Sequence, residues 1–308
     1  NHMPRFAKRP HSGRKDTRSG VIKYRKNDPA NNEATEEAPK KYQAKKSLGQ
    51  HFLVSESALS KIIDAADINA NDIVVEVGPG KGVLTERLLS FAGKVIAIEK
   101  DSELVIQLKE TFSRAIEGFR LDLIEGDVLD FDPSVMSFYK KELSYKVVAN
   151  IPYYITNAII RLFLETKAQP EQMVLLIQKE VAERILARDG KESILSIAVK
   201  AYGTPKIAAK VPAGAFNPPP KVDSAILVIS DISKKLFEAI DEKVFFKAVR
   251  AGFAHKRKKL AGNLTAVYKK DIINTVFEKL KFAPDTRAED ITVKDWKKLV
   301  QELSKLSK

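Results

Sequence analysis

The chain contains no cysteine. Disulfides and thiolate metal sites are therefore excluded. Its four histidines, His2, His11, His51 and His255, are scattered without ligand spacing, so no metal is expected. No apolar run approaches the roughly 20 residues needed to cross a bilayer. The start lacks the apolar core of a secretory signal. A cytoplasmic protein without membrane contact is the expectation. Asn1-His2 ahead of Met3 reads as a remnant of tag removal.

The sequence does have enough apolar residues for a core, 44% of 308 residues. That length suits one large domain or a large one with a small one. The net charge of +13 is unevenly spread. Residues 1–46 carry 13 Lys and Arg against 5 Asp and Glu, and residues 233–308 carry 19 against 10. Residues 47–232 carry 21 against 25. Basic ends around a mildly acidic body suggest polyanion binding by the ends.

Residues 1–46 lack hydrophobic periodicity and read as a disordered basic extension. From Ser47 the pattern becomes structured. Ser55–Ala66 has helical spacing with Ser55 as N-cap. Strands are expected at Ile73–Val77, Lys94–Glu99, Leu121–Glu125, Lys146–Ala149 and Met173–Gln178. Helices are expected at Val83–Ser90, Glu103–Phe112, Ala158–Glu165 and Lys179–Ala187. Leu195–Tyr202 and Ala225–Ser230 read as two further strands. This alternation predicts an α/β fold with a doubly wound, mostly parallel sheet over 47–232. After Ile232 the apolar spacing is purely helical, which places a small all-α domain at 233–308.

Ligands on such sheets bind beyond the carboxyl ends of the strands. Gly78, Glu99, Asp127 and Asn150 fall at or just after the ends of the first four strands. The turn Gly78-Pro79-Gly80-Lys81-Gly82 lets backbone approach a ligand closely. Glu99 can accept from both hydroxyls of a ribose, a reading that also fits a nicotinamide cofactor. Asp127 can accept from an exocyclic amine or simply cap a turn.

Asn150-Ile151-Pro152-Tyr153-Tyr154 separates those cofactors. The Asn150 side chain and the Ile151 or Pro152 carbonyl form two acceptors for an exocyclic amine, with Tyr153 as a stacking face. Two such acceptors favour a pyramidal nitrogen whose lone pair points at a sulfonium methyl. The chemistry is orientation and electrostatics, without a covalent intermediate. S-adenosylmethionine is the expected donor and a nucleobase amine the acceptor. Two more segments join the site. Ser47–Leu53 precedes the first helix and can fold over the cofactor. Phe216–Ser224 is a rigid Pro-rich loop whose Phe216 is either a second face around a flipped base or a core residue. Near the C-terminus Arg250 and His255-Lys256-Arg257-Lys258-Lys259 form a dense basic stretch. If helical, it faces its cations towards phosphates. Lys221 in the Pro-rich loop is a further candidate.

In this order L-G-Q-H-F-L (48–53), E-V-G-P-G-K-G (76–82), Glu99, Gly126-Asp127, N-I-P-Y-Y (150–154), Q-K-E-V-A-E-R-I (178–185), F-N-P-P-P-K-V-D-S (216–224) and a basic helix expected near Arg257 closely resemble the ribosomal RNA adenine dimethyltransferases, in particular their KsgA-type small-subunit branch. The resemblance covers about residues 45–302. It implies a Rossmann-like class I methyltransferase domain with a small helical C-terminal domain. It implies transfer of four methyls from S-adenosylmethionine, leaving S-adenosylhomocysteine, to two adjacent adenosines in the 3′-terminal hairpin of 16S rRNA. The implied partner is the immature 30S subunit, approached by a monomer. By position, His51 and Leu53 contact the cofactor, Gly78 lies beside its methionine portion with Gly80 in the same turn, Glu99 holds the ribose and Asp127 the adenine. Asn150 lies between cofactor and target amine, while Tyr153 and Phe216 flank the base. Two departures are the Gly190-Lys191-Glu192-Ser193 stretch, where relatives carry an aromatic-Gly pair, and His51, where they often carry Asn. The rival readings are a 23S rRNA methyltransferase of the erythromycin-resistance type and a non-catalytic assembly or transcription factor on the same fold.

Overall fold

The central strands are short apolar runs, and the fold places them where both faces are covered. In the computed structural model, which describes residues 45, 49–138 and 145–307, β2 (Ile73–Val77) is buried at all five positions. It lies between β3 (Lys94–Glu99) and β5 (Tyr145–Asn150), parallel to both. The extension expected over 1–46 falls outside the described residues, Lys45 excepted.

Two further parallel strands complete the doubly wound half. β4 (Leu121–Glu125) pairs with β3, and β6 (Gln172–Gln178) pairs with β5. β9 (Ser224–Ser230) then runs antiparallel to β6, and β7 (Thr204–Val211) antiparallel to β9. The sheet order is β4-β3-β2-β5-β6-β9-β7. A two-stranded antiparallel pair joins β1 (Phe52–Leu53) to β8 (Phe216–Asn217). The Asn217–Pro218 peptide is cis.

Helices cover both faces. α1 (Glu56–Ala66) starts where the Ser55 side chain accepts from the Ala58 N–H, as its spacing predicts. With α2 (Val83–Phe91) it covers one face: Leu59, Ile62 and Leu88 pack on Val74, Val95 and Val148. α3 (Ser102–Thr111) and α4 (Ser113–Glu117) connect β3 to β4. α5 (Thr156–Glu165), α6 (Lys179–Leu186) and α7 (Ile194–Tyr202) contribute to the other face, where Val75, Val147 and Leu175 meet Ile160 and Phe163.

Two expectations change here. Leu195–Tyr202 is helix α7, not a strand. A short apolar run is ambiguous in period, and the capping box between Ser193 and Ser196 decides for helix. The missing outer strand is β7, which the sequence reading passed over. Pro205 and the irregularity at Ala208 disguise it, and both suit an edge strand.

The C-terminal helices are α8 (Glu242–Gly252), α9 (Leu260–Leu264), α10 (Lys270–Leu280) and α11 (Val293–Leu306). Trp296 is fully buried among them. Tyr202 of α7 stacks on Phe246 at 5.9 Å and meets Phe237 at 5.1 Å, which links α7 to this helical segment. The 190–193 loop docks on the same segment: the Glu192 N–H donates to the Glu289 carbonyl, and Lys191 pairs with the Glu289 carboxylate.

Candidate active site

The turn after β2 determines the shape of the site. Gly78, Gly80 and Gly82 have φ of 67°, 59° and 82°, a region open to glycine at little cost. The Gly78 N–H donates to the Ile98 carbonyl, and Gly82 caps α2. A side chain at Gly80 would begin 3.1 Å from the Phe52 ring, which lies over the turn. The segment 49–53 is thus a strap across the glycine turn. Its outer end is tied by Lys45, which pairs with Asp101 and Glu103 at 2.9 Å each, and by Gln50, which donates to Asp101.

Glu99 ends β3 and is buried. Its two oxygens accept the Gly80 N–H at 3.0 Å and the Asp101 N–H at 2.9 Å. Burial pushes its pKa up, and these N–H donors oppose the shift. Asp127 follows β4. It accepts from the Leu129 N–H at 3.0 Å and pairs with Lys100 at 2.7 Å. That ammonium holds the Asp127 carboxyl below the usual carboxylate range. The two acids therefore differ in solvation, although both line one cavity.

Beneath the turn lies Glu76, the first residue of the 76–82 motif, to which sequence alone assigns no role. It is fully buried, with the Thr85 hydroxyl as its polar neighbour. Desolvation raises its pKa to about 8, so the side chain is largely neutral at pH 7. In the sequence only its place within a short apolar strand signals this.

Asn150 ends β5. Its Nδ2 donates to the His51 carbonyl at 3.1 Å, so Oδ1 is the amide atom left to accept from a ligand. The Pro152 carbonyl already accepts the Ile155 N–H at 3.2 Å. The Tyr153 hydroxyl lies 3.0 Å from the Ser224 hydroxyl. His51 Nδ1 lies 2.8 Å from the Pro218 carbonyl, and the His51 ring lies nearly parallel to Tyr153 at 6.0 Å. Phe216 is 4% exposed and opposite Leu53 in the β1·β8 pair. It is a core residue that also lines the cavity.

His51, Leu53, Gly78, Gly80, Glu99 and Asp127 line this cavity of about 230 Å³ together with Asn150, Pro152, Tyr153 and Phe216. Gln50, Lys100 and Tyr154 also line it and were not assigned from the sequence. Their contacts depend on the strap and on the β3 and β5 ends meeting in space, which sequence spacing does not record. The cations expected to meet phosphates lie outside this lining. Lys221 is exposed on the Pro-rich loop, and Arg250 is exposed on α8. The stretch 255–259 is not helical: α8 ends at Gly252, and Lys256–Lys259 form exposed turns before α9. Asn263 pins that loop by donating to the Gly252 and His255 carbonyls. Among the described residues no cluster of His, Asp or Glu is arranged to hold a metal, and no helix is long and apolar enough to cross a membrane.

A parallel sheet with its cavity between the first and fourth principal strands, a glycine turn on one and an acid ending the next, is the arrangement of a class I methyltransferase. Comparison narrows the class. The chain belongs to the ribosomal RNA adenine dimethylase family, whose model matches residues 41–305. It is 45% identical over 261 residues to the ribosomal RNA small subunit methyltransferase A of Dehalococcoides mccartyi, covering 84% of this chain and 88% of that one. The protein of the same name from Streptococcus thermophilus is 40% identical over 264 residues, covering 83% of this chain and 90% of that one. Among solved structures, a dimethyladenosine transferase from Plasmodium falciparum superposes with a TM-score of 0.71 at 30% identity, covering 83% of this chain and 98% of that one. The 23S rRNA methyltransferase ErmE shares the fold, with a TM-score of 0.64 at 23% identity over 82% of this chain and 99% of its own.

Proposed function

We propose that the protein transfers methyl groups from S-adenosylmethionine to the N6 amines of two adjacent adenosines in the 3′-terminal hairpin of 16S rRNA, giving N6,N6-dimethyladenosine. The Asn150 carboxamide carries the reading. Its nitrogen is held by the His51 carbonyl, and its oxygen is left for the cavity that the glycine turn and Glu99 enclose.

The donor set suits the cofactor. A carboxylate has about four acceptor sites, so Glu99 keeps capacity for ribose hydroxyls beyond the Gly80 and Asp101 N–H groups. Asp127 can accept from the adenine amine, with Leu53 and Val128 as apolar walls. A neutral Glu76 beneath the turn puts no second full negative charge beside Glu99. When bound, S-adenosylmethionine supplies a methyl carbon on a positively charged sulfur and leaves as S-adenosylhomocysteine.

The chain's own residues orient the acceptor. Asn150 Oδ1 accepts one hydrogen of the target amine. The second acceptor is the Ile151 or the Pro152 carbonyl; the latter keeps a lone pair beyond the Ile155 N–H. Two acceptors pull the nitrogen out of conjugation and aim its lone pair at the methyl. With the donor bound, transfer would form the nitrogen–carbon bond as the carbon–sulfur bond breaks, and the amine would release its proton to water, with Asn150 holding the nitrogen in line. Tyr153 and Phe216 flank the base.

The domains divide the work: 47–232 performs the chemistry and 233–308 contacts rRNA. Arg250, Lys256, Arg257, Lys258 and Lys259, with Lys221 on the Pro-rich loop, meet phosphates. The substrate is the immature 30S subunit in the cytoplasm, and the protein acts as a monomer. Relatives named as small-subunit enzymes at 40–45% identity favour this over the 23S reading. The test is labelled S-adenosylmethionine with unmethylated 30S particles, followed by nucleoside analysis and mapping. Label as N6,N6-dimethyladenosine in small-subunit rRNA is expected. Label in 23S rRNA alone, or none, overturns the proposal.

A further inference from the structure

Three chain segments meet at the acceptor end of the cavity: the strap 49–53, the turn 150–154 and the Pro-rich loop 216–223. His51 touches all three. Its main-chain carbonyl belongs to the strap and accepts the Asn150 carboxamide at 3.1 Å. Its ring lies nearly parallel to Tyr153, 25° between planes at 6.0 Å. Its Nδ1 is 2.8 Å from the Pro218 carbonyl. A carbonyl only accepts, so Nδ1 carries the proton in that bond.

The side chain is therefore occupied on the acceptor side. Family position assigns His51 to the cofactor, whereas its ring contacts run to Tyr153 and to the loop that carries Phe216. We infer that His51 is a positioning residue for the acceptor base: it clasps the loop carrying Phe216 to the turn carrying Tyr153 and so sets the width of the slot between them. This rests on the reading of Tyr153 and Phe216 as the two faces around the base. Backbone pairing at Leu53–Phe216 fixes one end of the loop, and the His51–Pro218 bond fixes the peptide two residues further on. Without the clasp the loop retains the β1·β8 pair at one end and the Tyr153–Ser224 hydroxyl contact at the other, and loses its tie at Pro218 between them. A misplacement of this kind slows a reaction that depends on orientation.

Three variants separate the contacts. His51→Ala removes both ring and donor. His51→Asn keeps a donor for the Pro218 carbonyl, and His51→Phe keeps a ring face without a donor. Each is measured for S-adenosylhomocysteine affinity, for kcat and KM on unmethylated 30S particles, and for amide hydrogen exchange over 216–224 in the cofactor-free protein. For His51→Ala we expect kcat/KM for the particle to fall on the order of tenfold or more, with cofactor affinity within about threefold. Exchange over 216–224 should rise in the Ala and Phe variants and stay near wild type in the Asn variant. The Asn variant should also recover most of the lost kcat/KM. Loss of cofactor affinity in step with kcat/KM would make His51 a cofactor contact and overturn the inference. Unchanged exchange in His51→Ala would equally overturn it. If the wild-type protein methylates no 30S particle, the functional reading fails, and the exchange measurement still decides whether the clasp exists.

Discussion

The Glu99 carboxylate accepts the Gly80 N–H at 3.0 Å and thereby ties the end of β3 to the turn after β2. Its other oxygen takes the Asp101 N–H. This acid shapes the floor of the cavity before any ligand arrives. Replacing it with glutamine turns an NH2 group towards one of two N–H donors. Losing the charged acceptor of the ribose hydroxyls costs about 1.5–3 kcal/mol, which is about ten- to a hundredfold in affinity. Glu99→Gln should weaken S-adenosylhomocysteine binding by that factor in calorimetry while the far-ultraviolet circular dichroism stays unchanged. Wild-type affinity would show that Glu99 is not part of the cofactor floor.

Glu76 makes stability depend on pH. Its folded pKa, about 8, lies above the ordinary 4.5. The unfolded chain therefore loses this proton first. The contribution to stability is fully present below pH 4.5 and is lost as pH rises through about 8. The slope reaches up to about 1.4 kcal/mol per pH unit within that window. Glu76→Gln cannot ionise and should flatten this part of the profile, gaining on the wild type as pH rises from 5 to 8. Urea unfolding of the cofactor-free proteins across that range checks it. Parallel profiles for the two proteins would contradict the assignment.

The exposed turn Lys256-Arg257-Lys258 should dominate the salt dependence of rRNA binding. Each phosphate contact contributes about 0.7–0.9 to the slope of log affinity against log salt. The triple change Lys256→Gln, Arg257→Gln, Lys258→Gln should lower that slope by about 2 and leave cofactor affinity unchanged. An unaltered slope in filter-binding titrations would move the phosphate contacts elsewhere on the surface.

Several elements are legible in the sequence because one local signal decides each. Ile73–Val77, Lys94–Glu99 and Leu121–Glu125 are apolar or alternating runs bounded by turn residues, and their bounds are those observed. The site acids follow from those bounds, since strand ends define the cavity. Three features were not legible, for distinct reasons. Ile194–Tyr202 is too short for its period to show, and its helix depends on a cap that Ser193 and Ser196 form only once folded. β7 is an edge strand whose Pro205 and alternating Lys206 and Lys210 resemble loop composition. The basic stretch is a turn in which distant Asn263 donates to the Gly252 and His255 carbonyls, a contact that local spacing does not record. Contacts made by distant segments, such as Lys100 with Asp127 or His51 with Pro218, leave no local trace.

The most direct test is Asn150→Ala, measured with S-adenosylhomocysteine and with unmethylated 30S particles. The side chain ends β5 at the cavity and is held by the His51 carbonyl. Removing one preorganised acceptor of this kind costs about 10²–10³ in rate. We predict a loss of that size in methyl transfer at saturating cofactor, with cofactor affinity within about tenfold of wild type. Collapse of cofactor affinity with wild-type turnover at saturation would contradict the account.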